Sequence, residues 1–124
     1  MVTNFVRITD EGPSAGAQEH MVRMRDGVRL ATDVYLPEEW QDGPTVLVRL
    51  PYDKSSRYVF FTIVAPMFNA RGYAVAVQDV RGKFRSEGET RPFVHETNDG
   101  YDTIDWIVRQ GWSDGKVAMF GDSY

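Results

Sequence analysis

Three short runs constrain this chain more than anything else in it: TVLVRL at 45–50, YAVAVQD at 73–79 and KVAMF at 116–120. Each is apolar almost throughout instead of alternating, the pattern of a strand covered on both faces. Two stretches of helical spacing lie between them. Phe60, Phe61, Ile63, Val64, Met67 and Phe68 recur near one helical face, and Arg71-Gly72 supplies an ending. Tyr101, Ile104, Ile107 and Val108 form a second apolar face. Thr97 or Asn98 caps that helix, Asp99 and Asp102 complement its positive N-terminus, and Gly111 follows it. Strand, helix, strand, helix, strand predicts an α/β sheet with parallel pairing.

A hairpin precedes that alternation. HMVRMRDGVRLATDVYLP reads as two strands about Asp26-Gly27, a dipeptide favoured at tight hairpin turns. Leu30, Thr32 and Val34 alternate with Ala31, Asp33 and Tyr35, which predicts a strand with one drier face, stopped by Pro37. Residues 1–18 are a polar lead-in with Gly12, Pro13, Ser14 and Gly16 close together. The structured portion is therefore expected over residues 19–124, within the length of one domain.

Composition removes several function classes. A net charge of −4 and a pI of about 5.1 leave no basic face to neutralise phosphates, so no nucleic-acid partner is expected. The absence of cysteine excludes disulfides, a thiol nucleophile and thiolate metal sites, and fits a reducing, cytoplasmic setting. Glu87, Glu89, Glu96 and Asp99 lack metal-site spacing, and RGKFRSEG lacks a phosphate-loop pattern, so neither metal nor cofactor is expected. The most apolar window, VFFTIVAPMF at 59–68, is interrupted by Pro66 and is shorter than the ~18 residues of a membrane span. No N-terminal block of signal-peptide length is present.

The chemistry concentrates in Gly121-Asp122-Ser123-Tyr124, which follows the third buried run. Taken alone, Gly-x-Ser is most often a loop. Directly after a buried strand of an α/β sheet, it is the start of a nucleophile elbow, where a tight turn lifts the serine hydroxyl above the sheet. The N–H of the next residue, Tyr124, then faces the same space and suits a developing oxyanion. A second oxyanion donor in such sheets comes from the loop after an earlier strand, here Pro51–Lys54.

Four segments in this order, VRMRDGVRLATDVYLP, VLVRLPYDK, GYAVAVQDVRGKFRSEG and DGYDTIDWIVRQGWSDGKVAMFGDSY, resemble the N-terminal part of the cocaine esterase and X-Pro dipeptidyl-peptidase family of serine hydrolases. The resemblance covers about residues 19–124. It implies the N-terminal portion of an α/β-hydrolase fold, a hairpin followed by alternating strands and helices that ends at the nucleophile elbow. It further implies Ser123 as the acylated nucleophile, the Tyr52 O–H as one oxyanion donor and the Tyr124 N–H as the other. The activity implied is hydrolysis of a small ester or amide through an acyl-serine, foremost as a cocaine esterase-like carboxylesterase. X-Pro dipeptidyl-peptidase, α-amino-acid ester hydrolase and β-lactam acylase activities are the alternatives. A non-catalytic α/β fragment or interaction domain is the rival of another class.

A serine nucleophile needs a histidine base and an orienting carboxylate, which in α/β-hydrolases follow the serine in the chain. His20 and His95 both precede Ser123, so each is expected to be structural or solvated. The chain therefore reads as the front piece of a longer enzyme whose remainder supplies the triad Asp and His, along with a helical cap and a jelly roll. That reading is compatible with a homo-oligomer. Asp79, Arg81 and Gly82 resemble a turn of the same family. An ion pair or a carboxylate–backbone bond fixing that loop is the expectation there, in preference to catalysis. Asp122 is not expected in the triad, and Trp106 and Trp112 are expected to pack around the second helix.

Overall fold

The computed structural model describes residues 14–56, 58–121 and 123–124. The elements follow one another as β1 (Gln18–Arg23), β2 (Arg29–Tyr35), β3 (Gly43–Leu50), α1 (Phe61–Asn69), β4 (Ala74–Asp79), α2 (Glu96–Val108) and β5 (Ser113–Met119). They form a five-stranded sheet in the order β1-β2-β4-β3-β5. β2 runs antiparallel to both β1 and β4, whereas β3 pairs in parallel with β4 on one side and β5 on the other. The expected hairpin and α/β alternation are both present. Most of the 1–18 lead-in lies outside the described residues, and β1 begins within it at Gln18.

Period-two geometry sends alternate residues of the central strands to opposite faces. Val46, Val48, Leu50, Val75 and Val77 pack with Tyr35, Phe61 and Ala65 under α1. Leu47 and Ala76 turn the other way to meet Ile107, with Ile104, Trp106 and Trp112 around them. One helix thus covers each face, which is why β3 and β4 are apolar on both.

Several local expectations are revised. The hairpin is not a two-residue turn. Gly27 N–H bonds the Met24 carbonyl at 2.9 Å and Met24 N–H bonds the Val28 carbonyl at 2.8 Å, leaving a three-residue loop with Gly27 at φ 88°. That is a type I turn closed by a left-handed glycine. β2 has no wetter face: Ala31, Asp33 and Tyr35 are as buried as Leu30, Thr32 and Val34, with Tyr35 packed under α1 and Asp33 paired with the buried Lys54. In α1 the inward residues are Phe61 and Ala65 with Val64 and Phe68, while Phe60, Ile63 and Met67 are exposed. α2 starts earlier than Thr97 or Asn98, with His95 in the capping position and its carbonyl accepting the Asp99 N–H. Its inward face is Asp99, Gly100, Thr103 and Ile107, whereas Tyr101 is exposed and Val108 sits at the rim. Polar residues contribute to this interior: Thr103 bonds Gln78, and Asp99 binds Arg81. β5 begins at Ser113, earlier than expected, and ends at Met119. Among the described residues, no helix is long and apolar enough to cross a membrane.

Candidate active site

Parallel pairing brings the carboxyl ends of β3, β4 and β5 to one edge, where open α/β sheets place their ligands. β3 stops at Leu50 because Pro51 has no N–H to continue the ladder. β5 leaves alongside it, with Phe120 N–H reaching the Leu47 carbonyl at 3.3 Å. Gly121 and Ser123 follow, and the Tyr52 O–H donates to Ser123 Oγ at 3.0 Å. Two residues singled out from the sequence, 71 positions apart, therefore meet hydroxyl to hydroxyl.

Ser123 has φ 76°, a region that a non-glycine residue occupies at a cost of about 1–3 kcal/mol. Such strain fits an elbow in which the backbone is bent to present the side chain. Gly121 is not crowded by its surroundings among the described residues. A Cβ there would find its nearest neighbour, the Tyr124 carbonyl oxygen, at 3.7 Å, an ordinary contact. Asp122 lies outside the described residues.

Tyr124 is anchored through its side chain. Its phenol accepts the Phe93 N–H at 3.0 Å, and its ring stacks on Phe93 with centroids 4.7 Å apart. Burial pushes the phenol's pKa up, and the bond from Phe93 opposes the rise. Beside Tyr52 and Ser123 runs a cleft of about 510 Å³ whose walls include Tyr58, Phe60, Phe61 and Phe120, with no carboxylate among the described lining residues.

His20 stands apart from this chemistry. His20 lies on β1, four strands from β5, which is ~19 Å at ordinary strand spacing. It packs against the Trp106 ring at 5.2 Å. His95 heads α2. Neither hydrogen-bonds Ser123 among the described residues. Trp106 and Trp112 pack edge to face at 6.0 Å beside α2, as expected.

Asp79 and Arg81 act as fasteners. The Arg81 guanidinium binds Asp99 at 2.7 Å and Asp26 at 2.7 Å, joining the hairpin loop, the loop after β4 and α2. Gly82, at φ 76°, lies against Thr90 so closely that a Cβ would come within 2.3 Å of the Thr90 backbone nitrogen. Asp79 Oδ1 accepts the Lys54 N–H at 2.9 Å, and Oδ2 takes a longer bond of 3.4 Å from the Arg85 N–H. Burial pushes the Asp79 carboxyl up to about 7, against the pull of the Lys54 N–H and ammonium. Lys54 is a functional neighbour that sequence reasoning misses. Its ammonium is fully buried, 2.9 Å from the equally buried Asp33 and 2.8 Å from Glu19, which Arg85 also holds. The one signal for it is an aspartate inside an otherwise apolar strand, since a buried carboxylate requires a partner.

Comparison with known proteins is concordant. The family model described as X-Pro dipeptidyl-peptidase (S15 family) matches residues 26–124. The chain is 47% identical over 116 residues to the cocaine esterase of Rhodococcus sp. (strain MB1 Bresler), covering 92% of this chain and 20% of that protein. The crystal structure of an aminopeptidase from a marine sediment Thaumarchaeota archaeon superposes with a TM-score of 0.75 at 32% identity, covering 97% of this chain and 24% of that one. An α-amino acid ester hydrolase structure gives a TM-score of 0.71 at 36% identity, covering 93% and 22% respectively. The chain thus spans about a fifth of the length of the curated relatives it matches.

Proposed function

The chain belongs to the X-Pro dipeptidyl-peptidase (S15) family, with the fold of an α/β-hydrolase, and from that premise we propose that it carries the nucleophile and oxyanion half of a serine esterase site. The observation that carries this reading is the 3.0 Å contact between the Tyr52 O–H and Ser123 Oγ at a serine held at φ 76°. In the proposed reaction Ser123 Oγ bonds to the ester carbonyl carbon while a histidine from the remainder of the polypeptide takes the hydroxyl proton. The carbonyl oxygen gains the negative charge, and the Tyr52 O–H and the Tyr124 N–H bind it. Collapse expels the alcohol, which takes the proton from the histidine and leaves an acyl-Ser123. Water then releases the acid by the same steps.

An ester is favoured over an amide on two grounds. Identity to the cocaine esterase exceeds identity to the aminopeptidase, 47% against 32% over nearly the same stretch. The cleft beside Ser123 has Tyr58, Phe60, Phe61 and Phe120 in its walls along with Arg49, an aromatic lining that suits a simple aryl ester. A chain without cysteine suits a cytoplasmic site of action. The test is covalent. In the intact protein a fluorophosphonate probe labels one site, and Ser123→Ala abolishes the adduct by intact mass. Labelling that survives the substitution overturns the assignment of Ser123, and none in the unaltered protein overturns the reading in favour of a non-catalytic domain.

A further inference from the structure

Residues 51–53 form an arch between two tied feet. At one foot the Leu50 carbonyl accepts the Val80 N–H at 3.0 Å; at the other the Lys54 N–H bonds Asp79 Oδ1 at 2.9 Å. Both anchors are consecutive residues at the end of β4. Lys54 is held elsewhere as well, its carbonyl by the Ser14 hydroxyl at 3.3 Å and its ammonium by Asp33 and Glu19. Between the feet Asp53 adopts φ 74°, a strained conformation for a residue with a side chain, and its own carboxylate accepts the Ser55 N–H at 3.0 Å. A backbone bent that way persists where the surroundings over-determine it. Here they do so one residue from Tyr52, whose exposed ring has no comparable packing.

We propose that Asp79 is a positioning residue: by accepting the Lys54 N–H it fixes the far foot of the 51–53 arch and so aims the Tyr52 hydroxyl at the carbonyl oxygen of the substrate that Ser123 attacks. This rests on the reading of Tyr52 as an oxyanion donor. A hydroxyl that misses its target by about 1 Å can lose on the order of 100-fold in rate, with little change in substrate binding.

The experiment is a double-mutant cycle in the intact enzyme, reading kcat and KM on an aromatic ester. Asp79→Ala removes the acceptor, and kcat falls on the order of 10- to 100-fold while KM stays near its original value. Asp79→Asn keeps an oxygen for the Lys54 N–H and restores most of kcat. In a Tyr52→Phe background Asp79→Ala costs almost nothing further, because no hydroxyl remains to be aimed. Should Asp79→Ala not fold, Asp79→Ser carries the same comparison, its hydroxyl being too short to reach Lys54. An Asp79 effect of full size in the Tyr52→Phe background, or no effect in either, overturns the proposal. If Tyr52→Phe alone leaves kcat unchanged, the reading of Tyr52 fails instead, and the two failures are told apart.

Discussion

Tyr52 differs from a packing tyrosine in where its hydroxyl goes. The ring is 43% exposed and its O–H is committed to Ser123, so deleting the oxygen removes a donor and disturbs little packing. Tyr52→Phe in the intact enzyme is expected to lower kcat by ~10²–10³, equivalent to ~2.7–4 kcal/mol. KM should change little, since the bond to the oxyanion forms in the transition state. Steady-state kinetics on an ester decide it, and near-normal kcat would reduce Tyr52 to a wall of the cleft. Ser123 draws attention in the sequence because a strand followed by Gly-x-Ser is a local pattern, whereas Tyr52 is singled out within the Pro51–Lys54 loop only by the family resemblance. A carboxylate–backbone bond from Asp79 is expected from the sequence and present, but the pairing of Lys54 with Asp79 is not legible in the same way. Their role comes from a bond between residues 25 positions apart, and a lysine after a strand looks solvated until its burial is seen.

The loop after β4 and the end of α1 give two glycines the same backbone sign and different surroundings, a controlled comparison at the scale of an element. Gly82, at φ 76°, presses on the Thr90 backbone, while Gly72, at φ 86° just beyond α1, has nothing within 4 Å of a built Cβ. Gly72→Ala is expected to cost about 1–2 kcal/mol, the penalty of a left-handed alanine. Gly82→Ala should cost several times as much, because backbone must also move away from the new methyl group. Urea unfolding of the two variants measures the difference, and equal losses would show that the Thr90 segment yields freely. The elements themselves are legible wherever periodicity comes from burial, as in β3 and β4. Periodicity misleads where buried polar groups replace apolar ones. α2 turns Asp99 and Thr103 inward to meet Arg81 and Gln78, so its apolar stripe points to a neighbouring face instead of the true one.

For the whole molecule, pH acts through carboxyls shifted in opposite directions. Burial raises Asp79 from 3.8 to about 7, so the folded protein keeps a proton there that the unfolded chain gives up. That contribution to stability is complete below about pH 4 and is lost as pH rises through about 7. Bonds from Arg81 hold Asp26 below its ordinary value, and bonds from Arg25 do the same for Asp102. Glu19 is lowered too: burial opposes the shift and bonds from Arg85 and Lys54 outweigh it. These three stabilise above the ordinary carboxylate range, and their contribution fades as pH falls through the lowered values. Relative to the unaltered protein, Asp79→Asn should therefore gain stability steadily between pH 4 and pH 7, read as a changing gap in unfolding free energy. A gap that does not vary with pH would mean that Asp79 is ionised throughout that range. The pairing of β5 with β3 instead of with its neighbour in sequence has a kinetic side. Thr45 must find Val117, and the Tyr52–Ser123 contact closes across 71 residues, so it cannot exist until nearly the whole described chain has left the ribosome. Closing a loop of that length is slow and costs entropy before any contact offsets it. The hairpin and the β3–α1–β4 unit have what they need to form earlier, so the hydroxyl pair emerges as a late product of folding, and a nascent chain displays Tyr52 before the serine it will face has been made.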